Sequence, residues 1–531
     1  MSRTEKSVAA LLLLLLLALY SLISAHAAFD VGDEGYLYYL SWAVSRGQIP
    51  FRDFELSTYP PGIFALYALA FDAFGTSIAN ARGLSIALLL INVALMFAVV
   101  RAFGARRFAW LAAMLLALAP GAWHKAYVAT LCLSALWLAL RIRRGAGVAT
   151  YALLTMVIAL GLQLRLDAAA CAIALLLIAA WQAPAARPSP AKLFATCTVV
   201  FTLTLLPLLV WLAMQGVLND YLRQLFAFLG IASERSGAWY RQPPPAFAEI
   251  FANGGTALFA ALYFASFLLP LGLIGTLIAQ WRQRKMLAVR DSDALLVLVF
   301  VAMSLPQFLI ERPDAVHLCQ RGFALIVGGI WLLGPDGLRS ALPPAAAKIG
   351  RAVIAMFLFC LLLPGFVLDA GGGPGQLRTA THPVALVHGL RFMAADGSGW
   401  DSATRAIDHD LTAGDRIAAV PYAPGLNFIL QTPTPGRRNY FLPNTIRAAH
   451  DDAEAATELA SARFITLQPE FRLSPSPRTR IACYAPQLTA LINTHFAARK
   501  EANDPQLLAA TTQTGQASAT ISPCLSGTTP P

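Results

Sequence analysis

Three short polar stretches interrupt a chain that is otherwise largely apolar, and each carries groups able to move a proton or hold an anion. The first reads Phe29-Asp30-Val31-Gly32-Asp33-Glu34-Gly35-Tyr36. A carboxylate held beside a hydroxyl can accept its proton. An acid pair at this spot can equally serve as the N-cap and first-turn charge of a helix. The second stretch, Leu164-Arg165-Leu166-Asp167, breaks an apolar run with no evident packing reason. It reads as an intramembrane ion pair or as an anion-binding arginine with its supporting acid. The third is Glu311-Arg312-Pro313-Asp314-Ala315-Val316-His317-Leu318. Here Arg312 and His317 are suited to phosphate oxygens, Arg312 in bidentate fashion. A plain exposed turn would explain the charges but not why His317 opens an apolar helix. Lys125, with His124 after Trp123, and Arg241, with Arg235 and Tyr240, are weaker candidates for phosphate or acceptor contacts. Interfacial anchoring is the alternative for each.

The elements that must position these groups follow from composition. The chain has 531 residues, 57% hydrophobic and 13% charged, against roughly 25% charged in an ordinary soluble domain. Runs such as 8–28, 84–100, 108–119, 193–213, 257–279 and 352–368 are mostly of span length, about 20 residues per helix. They lack the alternation of a lipid-facing barrel strand, so the spans must be helices. The expected fold is a polytopic α-helical membrane protein with about eleven transmembrane helices. The net charge of +11 does not imply nucleic acid, because its arginines and lysines cluster at span ends. Arg101, Arg106 and Arg107 form one such group, and Arg141, Arg143 and Arg144 another. By the positive-inside rule these loops are cytoplasmic, together with Arg3 and Lys6 at the N-terminus. The loops after Ala28, Gly121, Arg165, Met214 and Ile310 then fall outside without conflict. The N-terminal leucine run followed by Ala25-His26-Ala27 also resembles a signal peptide, but its length favours a retained span.

The first outside loop, residues 29–82, is long and only partly polar. Its Pro60-Pro61-Gly62 segment leads into an apolar stretch, 63–74, too short to span and better suited to an interfacial or re-entrant helix. A second outside loop, 215–255, is rich in aromatics and arginines and carries Pro243-Pro244-Pro245. After residue 368 the linker Gly371-Gly372-Gly373-Pro374-Gly375 opens a spanless region. The division is therefore a transmembrane domain, 1–368, and a soluble domain, 369–531. Strand patterns at 416–421 and 463–467 alternate with helical ones at 401–411, 449–460 and 486–498, which suggests a small α/β unit. The Ser/Thr/Gln/Pro-rich end after Ala509 is expected to be poorly ordered. Five of the seven cysteines lie in or beside spans without metal-ligand spacing. Cys483 and Cys524 stand in the outer domain, where an oxidising compartment favours a disulfide between them.

The first loop as a whole reads Asp33-Glu34-Gly35-Tyr36, then Gly47-Gln48-Ile49-Pro50-Phe51-Arg52-Asp53, then Tyr59-Pro60-Pro61-Gly62, with Ala79-Asn80-Ala81-Arg82 opening the next span. That order resembles the first outer loop of the GT-C glycosyltransferases, the superfamily of protein O-mannosyltransferases and the lipid A aminoarabinose transferase. The likeness covers roughly the first 370 residues. It implies a hexosyl- or pentosyltransferase that takes its sugar from a polyprenyl-phosphate donor and works at the periplasmic face of a bacterial inner membrane. The acceptor would be a lipid, a glycan or a protein. Asp33 would be the catalytic base, with Glu34 beside it. Arg165, Arg312, His317, Lys125 and Arg241 would serve the donor phosphate, and Asp167, Asp314, Tyr59 and Asp53 would support the site. Several relatives carry a second acid in the next outer loop, where this chain reads Pro120-Gly121-Ala122-Trp123-His124-Lys125. The expectation is therefore direct displacement with inversion, without a metal or other cofactor.

Two other classes of protein would share many spans. A transporter or flippase of lipid-linked glycans should show internal repeats and broken helices near the midplane, whereas the polar residues here cluster at the outer rim. A polymerase or ligase of surface glycans would call for larger outer loops between late spans, and the loop before His317 is short.

Overall fold

Long uninterrupted apolar runs leave the backbone no partner in lipid except itself, and helices result wherever they occur. The computed structural model describes residues 3–26, 29–56, 59–184, 188–234, 242–284, 292–364, 380–383, 391–393, 397–443, 445–471, 480–503, 505–510, 521 and 524. Among the described residues, seven helical segments are long and apolar enough to cross a membrane: Ser7–Ser24, Ile78–Ala102, Trp123–Arg143, Pro190–Met214, Gly255–Arg282, Ala294–Glu311 and Ala315–Leu333. Shorter apolar helices lie at Gly62–Phe74, Val148–Leu164 and Leu166–Gln182. The linker 371–375 lies outside the described residues, as does the tail after Ala510 apart from Ile521 and Cys524.

The chain divides into two compact units, each drawn from three separate stretches. The first comprises Met1–Ile23, Arg82–Trp211 and Pro243–Gln376. In it α6 (Ala126–Arg143), α7 (Val148–Leu164) and α8 (Leu166–Gln182) pack on one another, and α5 (Ala109–Leu118) packs on the helix Ala315–Leu333. Small residues let these helices approach closely. At Gly161 an added Cβ would lie 2.9 Å from the Ala169 backbone, so α7 and α8 meet almost backbone to backbone. Polar side chains stitch the bundle where water is absent: Tyr20 Oη donates to the Ala117 carbonyl at 2.7 Å, and Asn92 Nδ2 to the Ala126 carbonyl at 2.9 Å. Gly121, with φ at +83°, turns the loop after α5 so tightly onto the helix Ala315–Leu333 that a Cβ there would stand 2.9 Å from the Gln320 Cα.

The second unit comprises Ser24–Ala81, Leu212–Gln242 and Leu377–Pro531. Its helix α2 (Asp33–Ser45) packs along α3 (Gly62–Phe74). The apolar stretch expected to be too short to span is this α3. Ile63, Phe64, Tyr67, Ala68 and Phe71 are buried, while Leu69 and Phe74 remain exposed, an outward apolar face suited to a membrane surface.

Strands β1 (Ala380–Pro383) and β2 (Arg391–Met393) pair antiparallel, and a four-stranded sheet of β3 (Ile417–Val420), β4 (Phe464–Leu467), β5 (Phe496–Asn503) and β6 (Gln506–Ala510) completes the unit in the order β3-β4-β6-β5. Strands β3 and β4 pair in parallel. Strand β6 runs antiparallel to β4 and to β5. The helices Gly397–Asp410, Ala449–Leu459 and Pro486–His495 fall where the helical patterns were read. The last is shorter than its expected 486–498. Phe496 is buried at the start of β5 and pairs with Ala510, so strand pairing overrides the helical pattern there. That helix is held at its start by Asp452, whose carboxylate accepts from the Gln487 and Leu488 backbone N–H groups at 2.8 and 3.0 Å. Cys483 and Cys524 form the expected disulfide.

Candidate active site

The acid loop is built by its own backbone. Asp30 turns the chain by accepting from the Gly32 N–H on Oδ1 at 2.9 Å, and its carbonyl accepts from the Gly35 N–H at 2.9 Å. Helix α2 then starts at Asp33, placing two carboxylates in its first turn, where the helix dipole favours negative charge. They point to different tasks. Glu34 is buried and reaches back to accept from the Asp30 N–H at 3.3 Å, closing the turn. Asp33 Oδ1 accepts a hydrogen bond from the Tyr422 hydroxyl at 2.6 Å, across 389 residues of sequence.

That contact exists because the segment around Tyr422 lies against the acid loop. The Gly425 N–H donates to the Val31 carbonyl at 2.9 Å. A Cβ on Gly35 would sit 2.3 Å from the Gly425 Cα, so no side chain fits between the two backbones. Around this junction the aromatics gather. The Tyr36 ring lies 5.4 Å from Tyr440, 5.7 Å from Phe64, 6.0 Å from Tyr59 and 6.5 Å from Tyr422. Tyr422 and Tyr440 meet edge to face at 5.6 Å. Burial pushes the Tyr422 hydroxyl well above its ordinary range, and the Asp33 carboxylate pushes it the same way. Burial and Tyr440 do likewise for Tyr36. Both phenols therefore stay protonated at neutral pH and can donate. A carboxylate amid neutral phenols and ring faces is suited to accepting a proton from a bound hydroxyl and stacking against a sugar.

Asp53 has a local task. Its Oδ2 accepts from the Ile49 N–H at 2.7 Å, and Arg52 lies 3.1 Å from Oδ1. The Arg52 hydrogen bond holds its carboxyl below the usual range. Together they shape a turn in which Phe51 takes φ +69°. The following residue pairs with the C-terminal segment: the Glu55 N–H donates to the Arg437 carbonyl at 2.9 Å, and Asn439 Nδ2 donates to the Glu55 carbonyl at 3.1 Å. Buried Arg438 sits among Glu55, Glu454 and Glu458 at 3.8, 2.8 and 3.4 Å. The segment 436–441 thus docks the first loop.

The remaining candidates lie in the first unit and form two groups. Arg165 is extended between α7 and α8, with Nε 2.9 Å from Asp167 Oδ1 and Nη2 3.1 Å from Gln307 Oε1. Asp167 Oδ2 accepts from Arg321 Nη2 at 2.7 Å, and Arg321 is only 2% exposed. One aspartate thus bridges two arginines, and the same two arginines share Gln307.

In the second group Asp314 caps the helix Ala315–Leu333, accepting from the His317 N–H at 2.9 Å and contacting its ring Nδ1 at 2.8 Å. Arg312 Nε stands 3.5 Å away. Burial pushes the Asp314 carboxyl up, but the His317 hydrogen bonds and the Arg312 charge outweigh it and hold the group below its ordinary range. Lys125, buried on the short turn Trp123–Lys125, is within electrostatic reach of His317. Arg241 lies outside the described residues. Among the described residues, no group of three or more His, Cys, Asp or Glu is placed to hold a metal ion.

Two partners of these candidates, Arg321 and Tyr422, are not singled out by the sequence alone. Arg321 could have been found, since it follows His317 by one helical turn in an apolar segment. Tyr422 carries no local signal.

No family model matches the sequence, and no curated protein matches it either. Solved structures do. ArnT from Cupriavidus metallidurans in the apo state has a TM-score of 0.56 at 16% identity, with 96% of this chain and 98% of that one covered. The same protein bound to undecaprenyl phosphate gives a TM-score of 0.53 at 15% identity, covering 98% of this chain and 100% of that one. At such identities the likeness speaks for the fold, and it spans the membrane helices and the C-terminal sheet together. The chain has the fold of ArnT.

Proposed function

We propose that this chain is a glycosyltransferase that moves a sugar from a polyprenyl-phosphate carrier to a lipid, glycan or protein hydroxyl. The reaction takes place at the periplasmic face of a bacterial inner membrane. The observation that carries the reading is Asp33, presented at the head of α2 and hydrogen-bonded by Tyr422 within a ring of tyrosines. A sugar or lipid hydroxyl is a poor nucleophile until a positioned carboxylate takes its proton. Asp33 accepts that proton as the acceptor oxygen bonds to the anomeric carbon. The bond from that carbon to the phosphate oxygen breaks, and the polyprenyl phosphate leaves with the electron pair, inverting the configuration.

Negative charge grows on the departing phosphate and calls for fixed cations. Lys125, Arg312 and His317 are the proposed donor-phosphate ligands, with Asp314 orienting His317. Arg165, which shares Asp167 with Arg321, is proposed as a further donor-phosphate contact. Arg241 is a further proposed donor contact. The likeness to ArnT, known bound to undecaprenyl phosphate, supports a lipid-linked donor.

The test is transfer of radiolabelled sugar from a panel of undecaprenyl-phosphate sugars to membrane extracts, comparing the parent with Asp33→Asn at matched expression. Transfer by the parent alone supports the reading. Equal transfer by Asp33→Asn removes Asp33 as the base, and transfer by neither from any donor favours a carrier of lipid-linked glycans.

A further inference from the structure

We infer that Tyr422 is a positioning residue for Asp33: its phenol fixes one carboxylate oxygen and thereby orients the base toward the acceptor hydroxyl. The inference rests on the reading of Asp33 as base. It adds a residue from the C-terminal segment to chemistry otherwise assigned to the first loop.

The geometry supports it at three points. The bond from Tyr422 Oη to Asp33 Oδ1 is short, 2.6 Å, as expected for a hydroxyl donating to a carboxylate. The phenol has no latitude to swing away: a Cβ on Gly32 would meet the Tyr422 ring at 2.9 Å, and Tyr440 and Phe471 flank it at 5.6 and 6.3 Å. The backbone beneath is tied as well, through the Gly425 N–H on the Val31 carbonyl and the Gly35–Gly425 contact. The terminal torsion of a carboxylate is broad and soft. A hydrogen bond to one oxygen removes that freedom before substrate arrives.

The same bond favours the ionised carboxylate. Titratable groups around Asp33 include Tyr422, which donates to it, and Tyr36 on α2, both of which feel its charge, together with Asp30 and Glu34 from its own turn and Tyr59 and Tyr440 beside Tyr36. The neighbouring carboxylates Asp30 and Glu34 oppose a further negative charge, and the Tyr422 hydroxyl contacts Asp33 at hydrogen-bond distance.

The experiment uses full-length protein in detergent and the undecaprenyl-phosphate sugars of the same panel. Tyr422→Phe keeps the ring and removes the hydroxyl. It is expected to lower kcat about tenfold with little change in the KM for donor, and to move the acid limb of the pH profile upward by on the order of one unit. A parental acid limb with unchanged kcat would overturn the inference, as would a rise in KM alone. Asp33→Asn is run alongside. If it still transfers, the assignment of the base fails and the inference with it. If it is inactive while Tyr422→Phe behaves as the parent, only the positioning role fails.

A second readout needs no donor. Melting of the parent, Tyr422→Phe, Asp33→Asn and the double variant at pH 7.5 should give a double variant less destabilised than the sum of the singles. Strictly additive shifts would show that the two side chains are not coupled and would overturn the inference.

Discussion

Asp33 and Glu34 are neighbours in sequence with opposite duties. Glu34 faces inward and closes the turn by accepting from the Asp30 N–H, a bond that an amide oxygen can also accept. Glu34→Gln should therefore fold and retain transfer within about tenfold. Asp33→Asn, which removes the proposed proton acceptor, should lose about 10²–10⁴-fold. Initial rates at saturating donor would distinguish them. Asp314 makes a different residue-level prediction. Its folded carboxyl lies below the ordinary value because His317 and Arg312 stabilise the charge more than burial opposes it. Its contribution to stability is therefore present above the ordinary aspartate range, near pH 4. That contribution is lost as pH falls through the lowered folded value. The parent's melting temperature should fall with acidification below about pH 4 more steeply than that of Asp314→Asn, which still caps the helix. All three acids were visible in the sequence as interruptions of apolar runs. Which oxygen meets which donor was not, since that depends on side chains brought from elsewhere.

At the next scale, the start of α2 and the turn before the short helix Gly425–Ile429 depend on two glycines. Gly35→Ala would force a methyl to within 2.3 Å of the Gly425 Cα unless the segments part. Such overpacking is expected to cost about 1–3 kcal/mol, seen as a lower melting temperature and faster proteolysis of the C-terminal segment. Gly83 in α4 (Ile78–Ala102) is the control, because nothing lies within 4 Å of its added Cβ. Gly83→Ala should be neutral or stabilising by up to about 1 kcal/mol. Element types were largely legible. The helical patterns in the C-terminal region became helices, and strands β3 and β4 fell within a residue of the expected ranges. Strands β5 and β6 were not read, because Phe496–Asn503 gains its strand form from pairing with β6 rather than from its own pattern.

Taken whole, the molecule makes each unit from stretches far apart in the chain. The second gathers the first loop, the segment Leu212–Gln242 and the C-terminal region. A chain assembled this way has much entropy to lose, and the Cys483–Cys524 bond closes a loop with a separation of 41 residues. By loop-closure entropy it stabilises by up to about 4 kcal/mol. Replacing both cysteines by serine should lower the melting temperature of the purified protein, and adding a reductant should lower the parent to match while leaving the serine variant unmoved.

The amino-acid sequence by itself determined the helical membrane class, the acid loop at the head of α2 and the short apolar helix that follows it. Hydropathy and helix-start signals are local sums over neighbouring residues and need no knowledge of the path of the chain. Tertiary structure alone decided that Tyr422 meets Asp33 across 389 residues, that Asp167 lies between Arg165 and Arg321, and that Arg438 sits among three glutamates. Such pairings arise when helices and loops pack, and their energy depends on which distant groups arrive together. No window along the sequence holds both partners.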